Sequence, residues 1–196
     1  IVWTDEENWF FRLSAYRDRL IQHIETHPEF IQPDSRRNEI LRLLEGGLED
    51  ISASRSRVPW VVPFPDDEGD TVYVWFDALV NYISGIGYLS DNAMFEQWCP
   101  ATCQLIGKDI LTTHTVYWPT MLKAMNVPMP RTVFAHGWWL VGESKMSKTE
   151  GNVVDPMAFA ELYGEDAFRY FLMAEMVPGH DASFTEEAFI RRYNSD

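Results

Sequence analysis

Lysine is scarce in this chain, with only Lys108, Lys123, Lys145 and Lys148 in 196 residues. Two of the four fall three residues apart in S-K-M-S-K-T-E-G-N, Ser144 to Asn152, around a small hydroxyl and just before a Gly-Asn turn. Two ammonium groups on flexible stems, held near backbone amides, can neutralise phosphate charge that grows during a reaction. A loop bracketed by Gly142 and Gly151 can bring them up only as the reaction proceeds, which favours the transition state over the ground state. Spacing alone leaves a solvated basic loop as an equal alternative.

Three other groups have residue types suited to a ligand. In L-I-G-K-D-I-L-T-T-H (105–114), Gly107 leaves room for close backbone approach, and Asp109 is placed to accept hydrogen bonds from ligand hydroxyls, as acidic residues do with ribose in dinucleotide folds. Ile110 and His114 are four apart and share a helical face. Taken alone, Asp109 also suits a helix cap and His114 a satisfied core histidine. Trp75, Ala78, Leu79 and Tyr82 can line a snug apolar pocket with one polar tip, the last three sharing one helical face, although plain core packing accounts for them as well. His136-Gly137 stands at a third strand end.

The elements that position these groups follow from periodicity. Residues 4 to about 27 read as an amphipathic helix with Thr4 and Glu7 as a capping box and Phe10, Leu13, Leu20 and Ile24 at helical spacing. A second helix runs from Asp34 to Glu45 and stops at Gly46-Gly47, with Arg36, Arg37 and Arg42 on a solvated face. T-V-Y-V-W-F (71–76) has the look of a buried strand closed by Trp75, followed by a helix over 77–83. Cys103 to Ile106 reads as a strand, Asp109 to Met125 as a helix containing Pro119, and 132–136 as a strand. This alternation predicts a parallel sheet with helices on its faces, and ligands bind such sheets at the carboxyl ends of the strands. Beyond the lysines, Asp155 and Pro156 cap and open a helix ended by Gly164, Glu165 to Val177 forms the next, and Thr185 opens a last one.

Bulk composition limits the function classes. Hydrophobic residues make up 46% and aromatics 14%, enough for a packed core. No apolar run approaches the ~20 residues that span a bilayer, so no membrane partner is expected. The net charge of −14 argues against a surface that coats nucleic acid, while leaving room for a confined positive site. Cys99 and Cys103 lack a second pair or a nearby His, so they read as reduced thiols of a cytoplasmic protein and not as a zinc site.

Together these residues resemble the class I aminoacyl-tRNA synthetases, and among them the methionyl-tRNA synthetases. K-M-S-K-T (145–149) looks like the class I K-M-S-K-S loop, with Thr for the last Ser. The likeness extends to Y-V-W-F-D-A-L-V-N-Y (73–82), L-I-G-K-D-I…H (105–114), V-Y-W-P-T-M-L (116–122), F-A-H-G-W (134–138) and F-I-Q-P-D-S-R-R-N-E (30–39). The resemblance implies an α/β, Rossmann-like parallel-sheet catalytic core, here its second half, with helical segments before and after it. It implies that Trp75, Ala78, Leu79, Tyr82, Ile110 and His114 line a methionine side-chain pocket. Gly107 and Asp109 would hold the ribose of ATP, His136 and the backbone near Trp139 would lie by adenine and phosphates, and Lys145 and Lys148 would bind the β- and γ-phosphates as the catalytic cations. The implied chemistry joins L-methionine to tRNA(Met) through an adenylate, with ATP brought in as its Mg2+ complex.

The resemblance also implies an organisation. Residues 1–58 correspond to the helical end of a connective insertion, 59–152 to the second half of the catalytic domain including the lysine loop, and 153–196 to a helical stem-contact region before an anticodon-binding domain. The family's H-x-G-H element does not occur in the chain, so a fragment inactive by itself is expected. Thr113 precedes His114 where relatives often have a bulky aromatic, and W-V-V-P (60–63) puts Val61 where relatives have Gly. No zinc ligand set of the connective segment is present. A class I enzyme for a branched aliphatic amino acid and a catalytically inactive tRNA-binding or scaffold module are the alternatives.

Overall fold

The computed structural model describes residues 6–56, 62–65, 67–142, 144–147, 149 and 151–195. Thr4, Val61 and Lys148 lie outside the described residues. The chain divides into two compact units, unit 1 (Ile1–Gln104 and Thr112–Val133) and unit 2 (Leu105–Leu111 and Phe134–Asp196).

Unit 1 does not start with the long helix expected over 4–27. Strand β1 (Phe10–Phe11) comes first, then a 3-10 turn (Leu13–Tyr16), and only then helix α1 (Arg17–Thr26). Strand β2 (Ile31–Gln32) and helix α2 (Asp34–Glu45) follow, then β3 (Ile51–Ser52). Tertiary pairing overrides helical spacing at the start: Phe10 and Phe11 pair with Ser52 and Ile51 in an antiparallel ladder, and the Asp50 carboxylate accepts the Ser14 N–H at 2.9 Å. Phe10 is accordingly left 63% exposed, whereas Leu13, Leu20 and Ile24 are buried as their spacing predicts. Helix α2 has the expected bounds and ends at Gly46, with Gly47 at a φ of 111° that a side chain would oppose. The Arg17 guanidinium donates to the Leu44 carbonyl at 2.6 Å, satisfying an acceptor that the helix end leaves open.

Strands β4 (Ser54–Ser56), β5 (Pro63–Phe64) and β6 (Asp67–Val72) form an antiparallel sheet in the order β4-β6-β5. The strand expected over 71–76 is therefore displaced. It starts earlier, because Ser54 to Ser56 pair with Asp70 to Val72, and it ends at Val72. The Tyr73 N–H makes a last bond to the Ala53 carbonyl, and the Tyr73 carbonyl already accepts from Phe76, opening helix α3 (Val74–Ser84). Trp75 thus lies in a first helical turn and does not close a strand. Helix α4 (Asn92–Trp98) follows, capped by Asp91, whose carboxylate accepts the Met94 N–H.

Strand β7 (Cys103–Gly107) has the expected position. The helix that follows begins with a 3-10 turn (Lys108–Ile110), widens into a π segment (Thr113–Tyr117) and ends as α5 (Trp118–Ala124). Pro119 explains the widening, since proline has no N–H to donate and its ring crowds the carbonyl four residues back. The Thr120 hydroxyl lies 2.8 Å from the Val116 carbonyl and 2.7 Å from that of Tyr117, supplying a donor where the ladder is broken. With β8 (Thr132–His136), a three-stranded parallel sheet forms in the order β2-β8-β7. The segment 31–32 occupies the place expected for 71–76. The core of unit 1 gathers Leu79, Ile83, Trp118, Met121, Leu122 and Val127.

Unit 2 contains β9 (Trp139–Val141), β10 (Ser144–Lys145), α6 (Pro156–Tyr163), α7 (Glu165–Glu175), β11 (Ala182–Ser183) and α8 (Glu186–Ser195). Strand β9 is central, antiparallel to β10 and parallel to β11. Asp155 caps α6 through the Met157 N–H, Pro156 fills the first turn, and Gly164 ends the helix at φ 89°. The Thr185 hydroxyl accepts the Ala188 N–H at the start of α8. Phe171, Phe184, Ala188 and Phe189 form the core. Among the described residues no helix is long and apolar enough to cross a membrane.

The join of β8 to β9 depends on a glycine. A Cβ at Gly137 would run into the His180 carbonyl, a backbone atom that cannot rotate away. Gly137→Ala is expected to cost about 2–4 kcal/mol, read as a drop of several degrees in the melting midpoint. An unchanged midpoint would mean that the 178–181 turn yields freely.

Candidate active site

The first group lies in unit 1, on one face of α3. Leu79 is fully buried in the core, and Trp75 packs half-buried against the same cluster. Tyr82, one turn beyond Ala78, reaches the π segment: its hydroxyl lies 2.9 Å from Nε2 of His114, and the two rings meet edge to face at 5.6 Å. His114 is 3% exposed, whereas Tyr82 is 43% exposed. A buried imidazole is thus joined to a phenol that is open on its other side. Burial pushes the Tyr82 phenol above its ordinary pKa, so it keeps its proton at neutral pH. The result is an aromatic and aliphatic wall with a polar Tyr–His tip, which suits an apolar side chain containing one weak acceptor.

The second group lies in unit 2. Strand β7 ends at Gly107, where a Cβ would sit 2.6 Å from Oδ1 of Asp109. The missing side chain lets the Asp109 carboxylate fold down against the backbone. Oδ2 of that carboxylate accepts Nζ of Lys145 at 3.1 Å, and Oδ1 accepts the indole N–H of Trp138 at 3.4 Å. Burial pushes the Asp109 carboxyl up, but the hydrogen bonds from Lys145 and Trp138 outweigh it, leaving the group below its ordinary pKa and ionised at neutral pH. Lys145 is placed there by β10, whose register pairs it with Leu140. His136 stands at the end of β8, with Nδ1 2.6 Å from the Gly137 carbonyl oxygen.

Sequence reasoning missed three residues of this group. Trp138 lies beneath two ammonium groups, with Nζ of Lys145 4.4 Å and Nζ of Lys108 4.2 Å from its ring. Asp181 accepts Lys108 through Oδ2 and the Trp138 backbone N–H through Oδ1, each at 2.8 Å. The neighbouring Trp139, which the sequence favours, turns its ring into the core against Phe171 and Phe184. No periodicity in the sequence separates the two, since Trp138 precedes strand β9, which begins at Trp139. Ile110 falls in unit 2 and His114 in unit 1, so helical spacing alone does not join them in one group. Among the described residues, no cluster of three or more His, Cys, Asp or Glu side chains could hold a metal ion.

Comparison with known proteins gives the family. Residues 2–196 match the family described as tRNA synthetases class I (M). The chain is 50% identical over all its 196 residues to the methionine–tRNA ligase of Thermotoga maritima, covering 31% of that protein. It is also 50% identical over 195 residues to that of Clostridium acetobutylicum, covering 30%. Among solved structures, Mycobacterium tuberculosis methionyl-tRNA synthetase bound by methionyl-adenylate superposes over the whole chain with a TM-score of 0.91 at 45% identity, this chain covering 38% of that one. The chain thus spans about a third of the length of the curated relatives it matches. A strand β7 ending at Gly107 with Asp109 in the turn after it, a Tyr–His pair and the K-M-S-K-T signature occur together in a sequence matched from end to end, and the chain belongs to the class I (M) family of tRNA synthetases.

Proposed function

We propose that this chain supplies the second half of the active site of a methionine–tRNA ligase, which activates L-methionine with ATP and passes it to tRNA(Met). The observation that carries this reading is the Gly107–Asp109–Lys145 arrangement: a hydroxyl-accepting carboxylate and a phosphate-binding cation at one strand end. Asp109 accepts hydrogen bonds from the ribose hydroxyls, and Gly107 leaves room for the sugar to approach. His136 and the backbone by Trp139 flank the adenine and phosphates. The methionine carboxylate attacks the α-phosphate, and the bond to the leaving pyrophosphate breaks. Lys145 and Lys148 neutralise the charge that gathers on the β- and γ-phosphates, which is where phosphoryl transfer gains from fixed cations. Mg2+ enters on the triphosphate, in keeping with its habit of binding through substrate oxygens and water. The adenylate then esterifies the terminal ribose of tRNA, and AMP leaves.

Trp75, Ala78, Leu79, Tyr82, Ile110 and His114 line the methionine pocket in this reading. Aromatic walls suit a polarizable thioether, and the Tyr82–His114 tip offers the sulfur a weak polar neighbour. Shape decides most of the selectivity, because one methylene is worth only about 1–3 kcal/mol.

The reading is tested by amino-acid-dependent ATP–pyrophosphate exchange on the full-length parent protein, across Met, Leu, Ile, Val and Cys. Exchange is expected with Met alone and to fall about a hundredfold or more in Lys148→Ala. Silence with every amino acid would point to a non-catalytic binding module. Tyr82→Phe removes the bond to His114 and is expected to lower kcat/KM for methionine by about 10- to 100-fold, mostly through KM. An unchanged KM would remove the Tyr–His tip from the pocket.

A further inference from the structure

Asp109 has two claimants. In the proposed function it receives ribose hydroxyls, yet here both its oxygens are already engaged, Oδ2 by Lys145 and Oδ1 by Trp138. The engagement extends further, because Trp138 also lies under Lys108, and Lys108 pairs with Asp181, which in turn holds the Trp138 backbone. Two lysines and two aspartates thus surround one indole. Their charges cancel, so as it stands the group offers a triphosphate no net attraction.

We propose that Trp138, Lys108 and Asp181 are positioning residues that park Lys145 on Asp109, and that a ribose arriving at Asp109 displaces this lysine and so delivers it to the phosphates. The inference rests on the proposed function and deepens it: nucleoside recognition and charge delivery become one coupled event. Magnitudes allow the exchange. The Asp109 and Lys145 side chains are 44% and 46% exposed, and an ion pair so open to water is weak. Two ribose hydroxyls can donate to the two carboxylate oxygens together, replacing a single half-exposed ammonium contact. Lys145 need not travel freely once released, since the Trp138 ring 4.4 Å below it offers a cation–π platform. Trp138 is itself held by its N–H bond to Asp181 and by Lys108 on its ring.

The coupling makes a prediction that a simple phosphate clamp does not. Adenosine has the ribose but no phosphates, so in the wild type it must open the Lys145 contact without the compensating phosphate contact. Removing the ammonium therefore helps adenosine while harming ATP chemistry. Adenosine binding to the full-length parent is measured by calorimetry for the wild type, Lys145→Met and Lys145→Arg, with methionine-dependent pyrophosphate exchange alongside. Lys145→Met is expected to bind adenosine about two- to five-fold more tightly than the wild type while losing exchange. Lys145→Arg, which keeps the charge, is expected to bind adenosine as the wild type does. Adenosine affinity unchanged or weakened in Lys145→Met overturns the proposal, as does an equal gain in Lys145→Arg. Exchange by the wild type separates the two readings. If it is present while adenosine ignores Lys145, only the parking fails; if it is absent and adenosine binds to none of the proteins, both fail.

Discussion

Gly107 has no side chain, and the space a Cβ would need is taken by the carboxylate of Asp109. Most of the unit 2 site follows from this substitution of a functional group for a methyl. With its carboxylate drawn back over the end of β7, Asp109 reaches the indole N–H of Trp138 with one oxygen and Lys145 with the other. The same close approach keeps the carboxylate against backbone and beside cations, so it stays ionised although burial opposes the charge. A larger residue at 107 would push Asp109 outward and dissolve these contacts together, without touching the sheet itself.

The elements around this point were legible in the sequence where local chemistry is decisive. Asp155-Pro156 at the start of α6, Gly164 at its end, Asp34 to Glu45 as a helix and the two strands ending in Gly107 and His136 all depend on caps, turns and short apolar runs. Misreadings occur where partners distant in sequence decide. Phe10 and Phe11 fit a helical face, yet they pair with 51–52. Thr71 to Phe76 looks like one β-rich run, but pairing with 54–56 ends it at Val72 and frees Trp75 for a helix. The π segment before Pro119 is a third case: proline announces an interruption, while the kind of interruption is chosen by the Thr120 hydroxyl and by burial of 113–116.

The site residues divide in the same way. Gly107, Asp109 and Lys145 stand out in the sequence because their types are scarce or conformationally special, and the structure brings these three together. Trp138 and Trp139 cannot be told apart by type, and only the folded chain gives Trp139 to the aromatic core and Trp138 to the lysines. Asp181 is 72 residues beyond Asp109 in the chain, and no periodicity connects it to Lys108.

The charge balance of the chain gives this geometry its meaning. A net charge of −14 repels a nucleotide triphosphate at long range, so the proposed function needs cations concentrated at one place. Leaving such cations bare would bind phosphate as tightly before reaction as during it, and equal binding of ground and transition states does not raise kcat. Under the proposed function, holding Lys145 on a carboxylate that the ribose would need avoids this. In that proposal the cation would be withheld from free phosphate and released only when a ribose is attached to it, so its charge would act on a nucleotide already oriented at the strand end. The weak, half-exposed ion pair is suited to this role because a stronger or more deeply buried one would not yield to a hydroxyl.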